Sequence, residues 1–194
     1  MKTRPTRAIF IHGNRGANAD FGCFPYIDNL IRAFGIEIIR VNFPDPIRGR
    51  MKYWMPFLES LQPNENTLIV GHSSGTSAAL RYAETNKIYG SLLISAQSDD
   101  CGLEFERFSG FYESPFNWQQ IKNNQNWIVQ VHSSDDPYIP VTSATNLSNQ
   151  LSSTLILTNQ HGHFTEFDFA TDSIPRLQEI LTDKLKVESN ECGC

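Results

Sequence analysis

The amino-acid sequence predicts a three-layer α/β/α sandwich: a mainly parallel, six-stranded, doubly wound sheet with helices on both faces and little or no lid. Three observations carry this. Six short β-rich stretches, at 8–11, 36–41, 67–70, 91–94, 127–131 and 154–157, alternate with helical periodicities along the chain. Most of these stretches are continuously apolar, which is how strands read when helices cover both faces of a parallel sheet. Strand and helix in alternation imply right-handed crossovers, with ligands expected beyond the carboxyl ends of the strands.

The first stretch, 8–11, is followed by a loop, His12-Gly13-Asn14-Arg15-Gly16, and then by Ile27, Leu30, Ile31 and Phe34 at helical spacing, with Pro25 suited to a first turn and Gly35 to the stop. After the second stretch, Trp54, Phe57, Leu58 and Leu61 repeat the pattern. The third runs into a small-residue helix over 74–85. An irregular segment from Gln97 to about Asn117 has the length of a small lid rather than of a second domain. Near the end, Ile174, Leu177, Leu181 and Leu185 mark one face of a last helix, with Ser173 as its expected N-cap and Pro175 in its first turn.

At 194 residues the chain is expected to be one domain, 1–194, with a polar tail from about 187. Such a length buries roughly 70% of the unfolded surface, so no structural metal or disulfide is required. Sixteen Lys+Arg against 21 Asp+Glu give a net charge of −5 without a basic run, which argues against nucleic acid as a partner. No apolar run approaches the roughly 20 residues that cross a bilayer, and the basic start is interrupted by His12 and Gly13 too early for a signal peptide, so a cytoplasmic location is expected. The four cysteines, Cys23, Cys101, Cys192 and Cys194, have neither CxxC nor zinc spacing and are expected to be reduced thiols.

The chemistry is expected at Gly71-His72-Ser73-Ser74-Gly75, a GxSxG match that composition alone produces roughly 0.06 times in a chain of this size. It stands where a strand becomes a helix, as a nucleophile elbow requires. A serine is a weak nucleophile by itself and needs a base and an acid from later strand ends. Asp135-Asp136-Pro137 follows the fifth strand and His161-Gly162-His163 follows the sixth, giving the serine, acid, histidine order of α/β-hydrolases. Asp136 is preferred to Asp135 because the following proline biases it toward extended backbone, and His163 to His161 because Gly162 frees the chain before it. Asp99 and Asp100 are fallback acids, whereas His132 and His72 read as packing residues. The amides of Ser74 and Asn14 are the expected oxyanion donors. Gly13, Arg15, Phe24, His72, Phe111 and Phe164 are candidates to meet substrate, and Phe108, Phe111, Tyr112, Phe116 and Trp118 to wall an acyl pocket.

Leu68-Ile69-Val70-Gly71-His72-Ser73-Ser74-Gly75, continuing to Arg81-Tyr82-Ala83-Glu84-Thr85, resembles the elbow and following helix of the retinoblastoma-binding-protein-9-like, or YdeN-like, serine hydrolases. Asn42-Phe43-Pro44-Asp45-Pro46, Trp54-Met55-Pro56-Phe57, Ser109-Gly110-Phe111-Tyr112, Ser134-Asp135-Asp136-Pro137 and Gly162-His163-Phe164 resemble further blocks of that family. The resemblance implies a small-lidded α/β-hydrolase with a triad of Ser73, Asp136 and His163, no cofactor or metal, and a small ester or amide as substrate. Two departures stand out. The loop from Gly13 to Ala17 is poorer in glycine than the family's, which sets Arg15 against the acyl or carboxylate end of a substrate. Leu61-Gln62-Pro63-Asn64-Glu65 lacks the cysteine of the Leu-x-Cys-x-Glu motif, so retinoblastoma-protein binding is not expected. The alternative function is a non-catalytic protein-interaction module on the same fold.

Overall fold

A computed structural model describes residues 4–167 and 172–186; Cys192, Cys194 and the expected tail lie outside them. The order of elements is β1 (Arg7–Ile11), α1 (Phe24–Arg32), β2 (Glu37–Arg40), α2 (Met51–Ser60), β3 (Thr67–His72), α3 (Ser74–Thr85), β4 (Gly90–Ile94), α4 (Glu104–Arg107), α5 (Trp118–Asn123), β5 (Ile128–Ser133), α6 (Val141–Leu151), β6 (Thr154–Thr158) and α7 (Pro175–Leu185). The strands form one parallel sheet in the order β2-β1-β3-β4-β5-β6.

Each apolar run supplies both layers of core because successive side chains point to opposite faces. Ala8, Phe10, Leu68, Val70, Leu92, Ile94, Val129 and Val131 face α1 and α7, where Ile27, Ile31, Leu177 and Leu181 meet them. Ile9, Ile11, Ile69 and Leu93 face the other way, against Trp54, Leu58, Ala79, Ile121 and Leu147 from α2, α3, α5 and α6. The inner strands β3, β4 and β5 are buried at every residue, whereas the edge strands β2 and β6 are partly open, so their runs mix apolar and polar side chains.

The first helix stops where expected: Gly35 takes φ +70°, and its amide donates to the Arg32 carbonyl. The expected cap of α7 is corrected. Ile174, not Ser173, is the capping residue, and it makes no side-chain cap. Pro175 forces its predecessor out of helical angles, and the Ile174 amide is satisfied from elsewhere in the fold by donating to the Tyr26 hydroxyl, 3.0 Å away. The segment from Gln97 to Asn117 is small, as expected, and contains the one-turn helix α4. Among the described residues no helix is long and apolar enough to cross a membrane.

The order of strands reverses between β1 and β3, so the loops leaving their carboxyl ends diverge and leave a crevice between them. The β1–α1 loop and the β3–α3 junction both open there.

Candidate active site

The junction between β3 and α3 is a single residue, Ser73, held at φ 53° and ψ −127°. A non-glycine residue at such angles is strained and persists only where its surroundings fix it. They do so through three hydrogen bonds. The Ser73 amide donates to the Ile94 carbonyl at 2.9 Å, and the Ser73 carbonyl accepts from the Thr76 amide at 2.8 Å and the Thr76 hydroxyl at 2.6 Å. The flanking glycines are required sterically: a Cβ on Gly71 would stand 2.8 Å from the Gly75 carbonyl oxygen, and one on Gly75 would overlap the Ile11 carbonyl.

The ends of three strands converge on the Ser73 hydroxyl. His163, on the loop after β6, places Nε2 3.0 Å from Ser73 Oγ and Nδ1 2.8 Å from Asp136 Oδ2. Asp136, after β5, has a fully enclosed side chain. Its Oδ2 also accepts from the Ser95 hydroxyl at 2.8 Å, while Oδ1 accepts from the amides of Tyr138 at 2.9 Å and Ile139 at 3.0 Å. Burial pushes the Asp136 carboxyl up, but the bond to His163, its charge and the two amides outweigh that and hold it below the ordinary carboxylate range. An ionised carboxylate only accepts, so His163 Nδ1 carries the hydrogen and Nε2 turns a lone pair to the Ser73 hydroxyl.

The other members of each doublet lie elsewhere. Asp135 is exposed, bonded to the Ser133 hydroxyl and to the Gly162 amide at 3.2 Å. His161 stacks on Phe164, with ring centroids 5.5 Å apart. The fallback acids Asp99 and Asp100 accept from nearby amides, those of Cys101 and Gly102. His132 is buried and bonded to the Ile139 carbonyl at 3.0 Å.

His72 lies beneath His163, with ring centroids 4.9 Å apart, and its Nε2 donates to the His163 carbonyl at 2.8 Å. Burial, reinforced by His163, pushes its pKa down to about 3, so it is a neutral strut that also lines the cavity.

The cavity over Ser73 measures about 440 Å³ and is walled by Phe21, Leu103, Phe105, Tyr138 and Ile139. Gly13, Asn14 and Arg15 also line it. A Cβ on Gly13 would stand 3.1 Å from Ser73 Cβ, so the glycine admits the β1–α1 loop next to the elbow. That loop is pinned by the amides of Arg15 and Gly16, which donate to the carbonyls of Ile47 and Pro46, each at 3.0 Å. Arg15 lies 5.2 Å from the Tyr138 ring centre and 6.0 Å from that of Phe105, spanning two walls. The Ser74 amide belongs to the first turn of α3, where donors have no intrahelical acceptor.

Several expected contacts with substrate are corrected. Phe24 and Phe164 are enclosed in the core on the α1 side and Phe111 in the opposite core, because each points from its segment into a helix–sheet interface rather than the crevice. Phe108 is 70% exposed, and Tyr112, Phe116 and Trp118 line a separate hollow of about 660 Å³ that contains neither Ser73 nor His163. The aromatic wall comes from Phe21, Phe105 and Tyr138 instead.

Besides these wall residues, two polar side chains at the site are absent from the sequence expectations. Ser95 directly follows β4 at the end of the sheet where ligands are expected, a positional signal that could have found it. Glu106, only 3% exposed, accepts at Oε1 from Asn14 Nδ2 at 2.8 Å and from the Ser74 hydroxyl. It sits among alternating acidic and aromatic residues of a short helix, and nothing in that pattern tells which acid turns inward. Among the described residues no group of three or more His, Cys, Asp or Glu side chains could hold a metal ion.

The serine hydrolase family model matches residues 28–182. Serine hydrolase RBBP9 of Rattus norvegicus is 39% identical over 184 residues, which is 93% of this chain and 98% of that protein. The crystal structure of the ydeN gene product of Bacillus subtilis superposes with a TM-score of 0.80 at 28% identity, covering 94% of this chain and 98% of the other. An elbow serine, a parallel sheet of the same build and a full-length relative of this similarity lead to one conclusion: the chain belongs to the serine hydrolase family, within the α/β-hydrolase superfamily.

Proposed function

We propose that the protein hydrolyses a small ester, thioester or amide through a Ser73–His163–Asp136 triad and an acyl-enzyme intermediate. The reading rests on one observation above the others, the continuous hydrogen-bonded chain from Ser73 Oγ through both ring nitrogens of His163 to Asp136 Oδ2. As Ser73 Oγ attacks the substrate carbonyl, His163 Nε2 takes its proton. Asp136 fixes the tautomer and stabilises the imidazolium that forms. The amides of Asn14 and Ser74 receive the oxyanion, which has no counterpart in the ground state, so their alignment lowers the barrier directly. His163 then protonates the leaving group, and water repeats the sequence on the acyl-enzyme.

The cavity supports a compact substrate. A space of about 440 Å³ with apolar walls suits a short acyl group, and exposed Arg15 at its mouth offers a cation to a polar or anionic end.

The test is labelling with a fluorophosphonate, in which Oγ displaces fluoride from phosphorus. The purified protein is expected to gain one adduct, mapped to Ser73, and Ser73→Ala is expected to gain none and to lose turnover of 4-nitrophenyl acetate at least a thousandfold. A folded protein that takes no label and turns over no ester would overturn the reading in favour of an interaction module.

A further inference from the structure

Glu106 is the one buried carboxyl at the site that the triad chemistry leaves without a task. A charge-bearing group enclosed to this degree is costly unless it is well bonded. Its bonds are unevenly distributed. Oε1 takes two donors, Asn14 Nδ2 at 2.8 Å and the Ser74 hydroxyl, whereas Oε2 is buried without a hydrogen-bond partner. Burial raises the carboxyl's pKa; the bonds from Ser74 and Asn14, and the nearby Tyr112 hydroxyl, pull the other way.

The two donors are the side chains of the same two residues whose main-chain amides are assigned above to the oxyanion. One lies on the β1–α1 loop and the other on the first turn of α3, and Glu106 itself comes from α4, so a single oxygen joins three separate segments. Next to Asn14, the main-chain bonds of the β1–α1 loop run from Arg15 and Gly16 to Ile47 and Pro46, away from α3. Without Glu106, nothing among the hydrogen bonds described ties Asn14 directly to Ser74.

We propose that Glu106 is the positioning residue of the oxyanion hole: by accepting from both side chains at one oxygen, it sets the spacing of the Asn14 and Ser74 amides. The inference rests on the oxyanion assignment in the preceding section. Its consequence is specific. The bonds require an acceptor in this place and not a charge, and a negative charge beside a developing oxyanion would oppose it. Glutamine supplies the acceptor through its own Oε1 and sets its amide nitrogen where Oε2 now has no partner.

The experiment compares Glu106→Ala, Glu106→Gln and the native chain for kcat and KM on 4-nitrophenyl acetate, with fluorophosphonate labelling of Ser73 and circular dichroism alongside. Removing one oxyanion donor outright costs about 10²–10³ in kcat, so letting two donors drift is expected to cost about 10- to 100-fold. Glu106→Ala should show that loss in kcat with KM changed less than about twofold, and Glu106→Gln should return kcat to within about threefold of native. A role confined to stability predicts instead an altered melting point with kcat per folded molecule unchanged. Native kcat in Glu106→Ala, or equal losses in the alanine and glutamine variants, would overturn the proposal while native labelling left the triad standing. Absence of labelling in the native chain would overturn both. Should Glu106→Ala not fold, Asn14→Ala carries the test: it keeps the Asn14 amide but cuts one tether, and a loss of about fivefold in kcat is expected, with an unchanged kcat counting against the proposal.

Discussion

Asp136 shows how much a single side chain is asked to satisfy. Its two oxygens accept four hydrogen bonds, from His163 and Ser95 on one side and from the amides of Tyr138 and Ile139 on the other. Asparagine has one acceptor oxygen and one donor nitrogen, so no orientation of it meets all four. If its nitrogen faces the two backbone amides, donors oppose donors and the turn after β5 is destabilised. If it faces His163, the ring must present a bare Nδ1, the hydrogen moves to Nε2, and the base that the proposed mechanism requires is gone. Because the two amides are fixed by the backbone and the ring can change tautomer, the second outcome should prevail. Asp136→Asn is therefore expected to fold and to lose about 10³–10⁴ in kcat with little change in KM, measured by steady-state ester hydrolysis beside circular dichroism. The sequence carried part of this. The proline after Asp136 distinguishes it from Asp135 and the glycine before His163 distinguishes it from His161, since both act on the local backbone. Ser95 and Glu106 are recognised only by what they touch, across 41 and 32 residues of chain, and no local pattern encodes that.

Elements were readable in proportion to how strongly their own residues decide them. The apolar stretches at 67–70 and 91–94 differ from β3 and β4 by no more than two residues at an end, because burial on both faces permits hydrophobic side chains without interruption. The helix α6, Val-Thr-Ser-Ala-Thr-Asn-Leu-Ser-Asn-Gln-Leu, gives a weaker signal: it is built largely of weak helix formers, and its buried Ala144, Leu147 and Leu151 hold it against β5 and β6 by packing. The elbow is the opposite case, where the element is dictated by what the backbone excludes. Gly75 rests on the carbonyls of Ile11, the last residue of β1, and of His12 just after it, so the close seating of α3 on the sheet depends on the missing Cβ. Gly102 makes a control: its φ is +73°, but a Cβ there would meet nothing within 4 Å. Gly102→Ala is expected to cost about 1 kcal/mol from backbone strain alone. Gly75→Ala must separate helix from strand and is expected to cost more than about 3 kcal/mol or to prevent folding. Urea unfolding of the two variants checks the difference, and equal costs would show that α3 is not seated through Gly75.

At the scale of the whole molecule, strand order alone marks the crevice of the candidate site, which lies where β1 and β3 part. The walls of that crevice could not be read the same way. Which aromatic lines the crevice depends on the path of the segment from Gln97 to Asn117, which turns Phe111 into the core and places Phe105 in the cavity that holds Ser73. Building the site over the sheet also buries histidines, and that has a consequence for stability. Burial lowers the pKa of His12, His72 and His132 from the ordinary 6.5, for His72 to about 3. Burial does this against the bonds from each ring to a backbone carbonyl, which favour the charged form; His12 Nε2, which accepts from the Phe43 amide at 2.8 Å, matches a neutral ring. A depressed pKa means that the unfolded chain binds the proton first, so these groups contribute stability that is complete above about pH 6.5 and is lost as pH falls toward their folded values. Glu106, whose pKa is raised, acts in the opposite sense, losing its contribution as pH rises above the unfolded carboxyl's range. His72, whose pKa is displaced to about 3, sets the sign across this range, and the Asp136 contribution, also lost on acidification, begins only near its unfolded pKa of about 3.9. The free energy of unfolding should therefore fall between pH 7 and pH 5, at up to about 1.4 kcal/mol per pH unit for each histidine that folding keeps neutral. His72→Gln, which retains a donor toward the His163 carbonyl but does not titrate, should flatten that slope by about one such group. Urea melts of native and variant chains at pH 7 and pH 5 would show parallel lines instead if His72 titrated normally in the folded state.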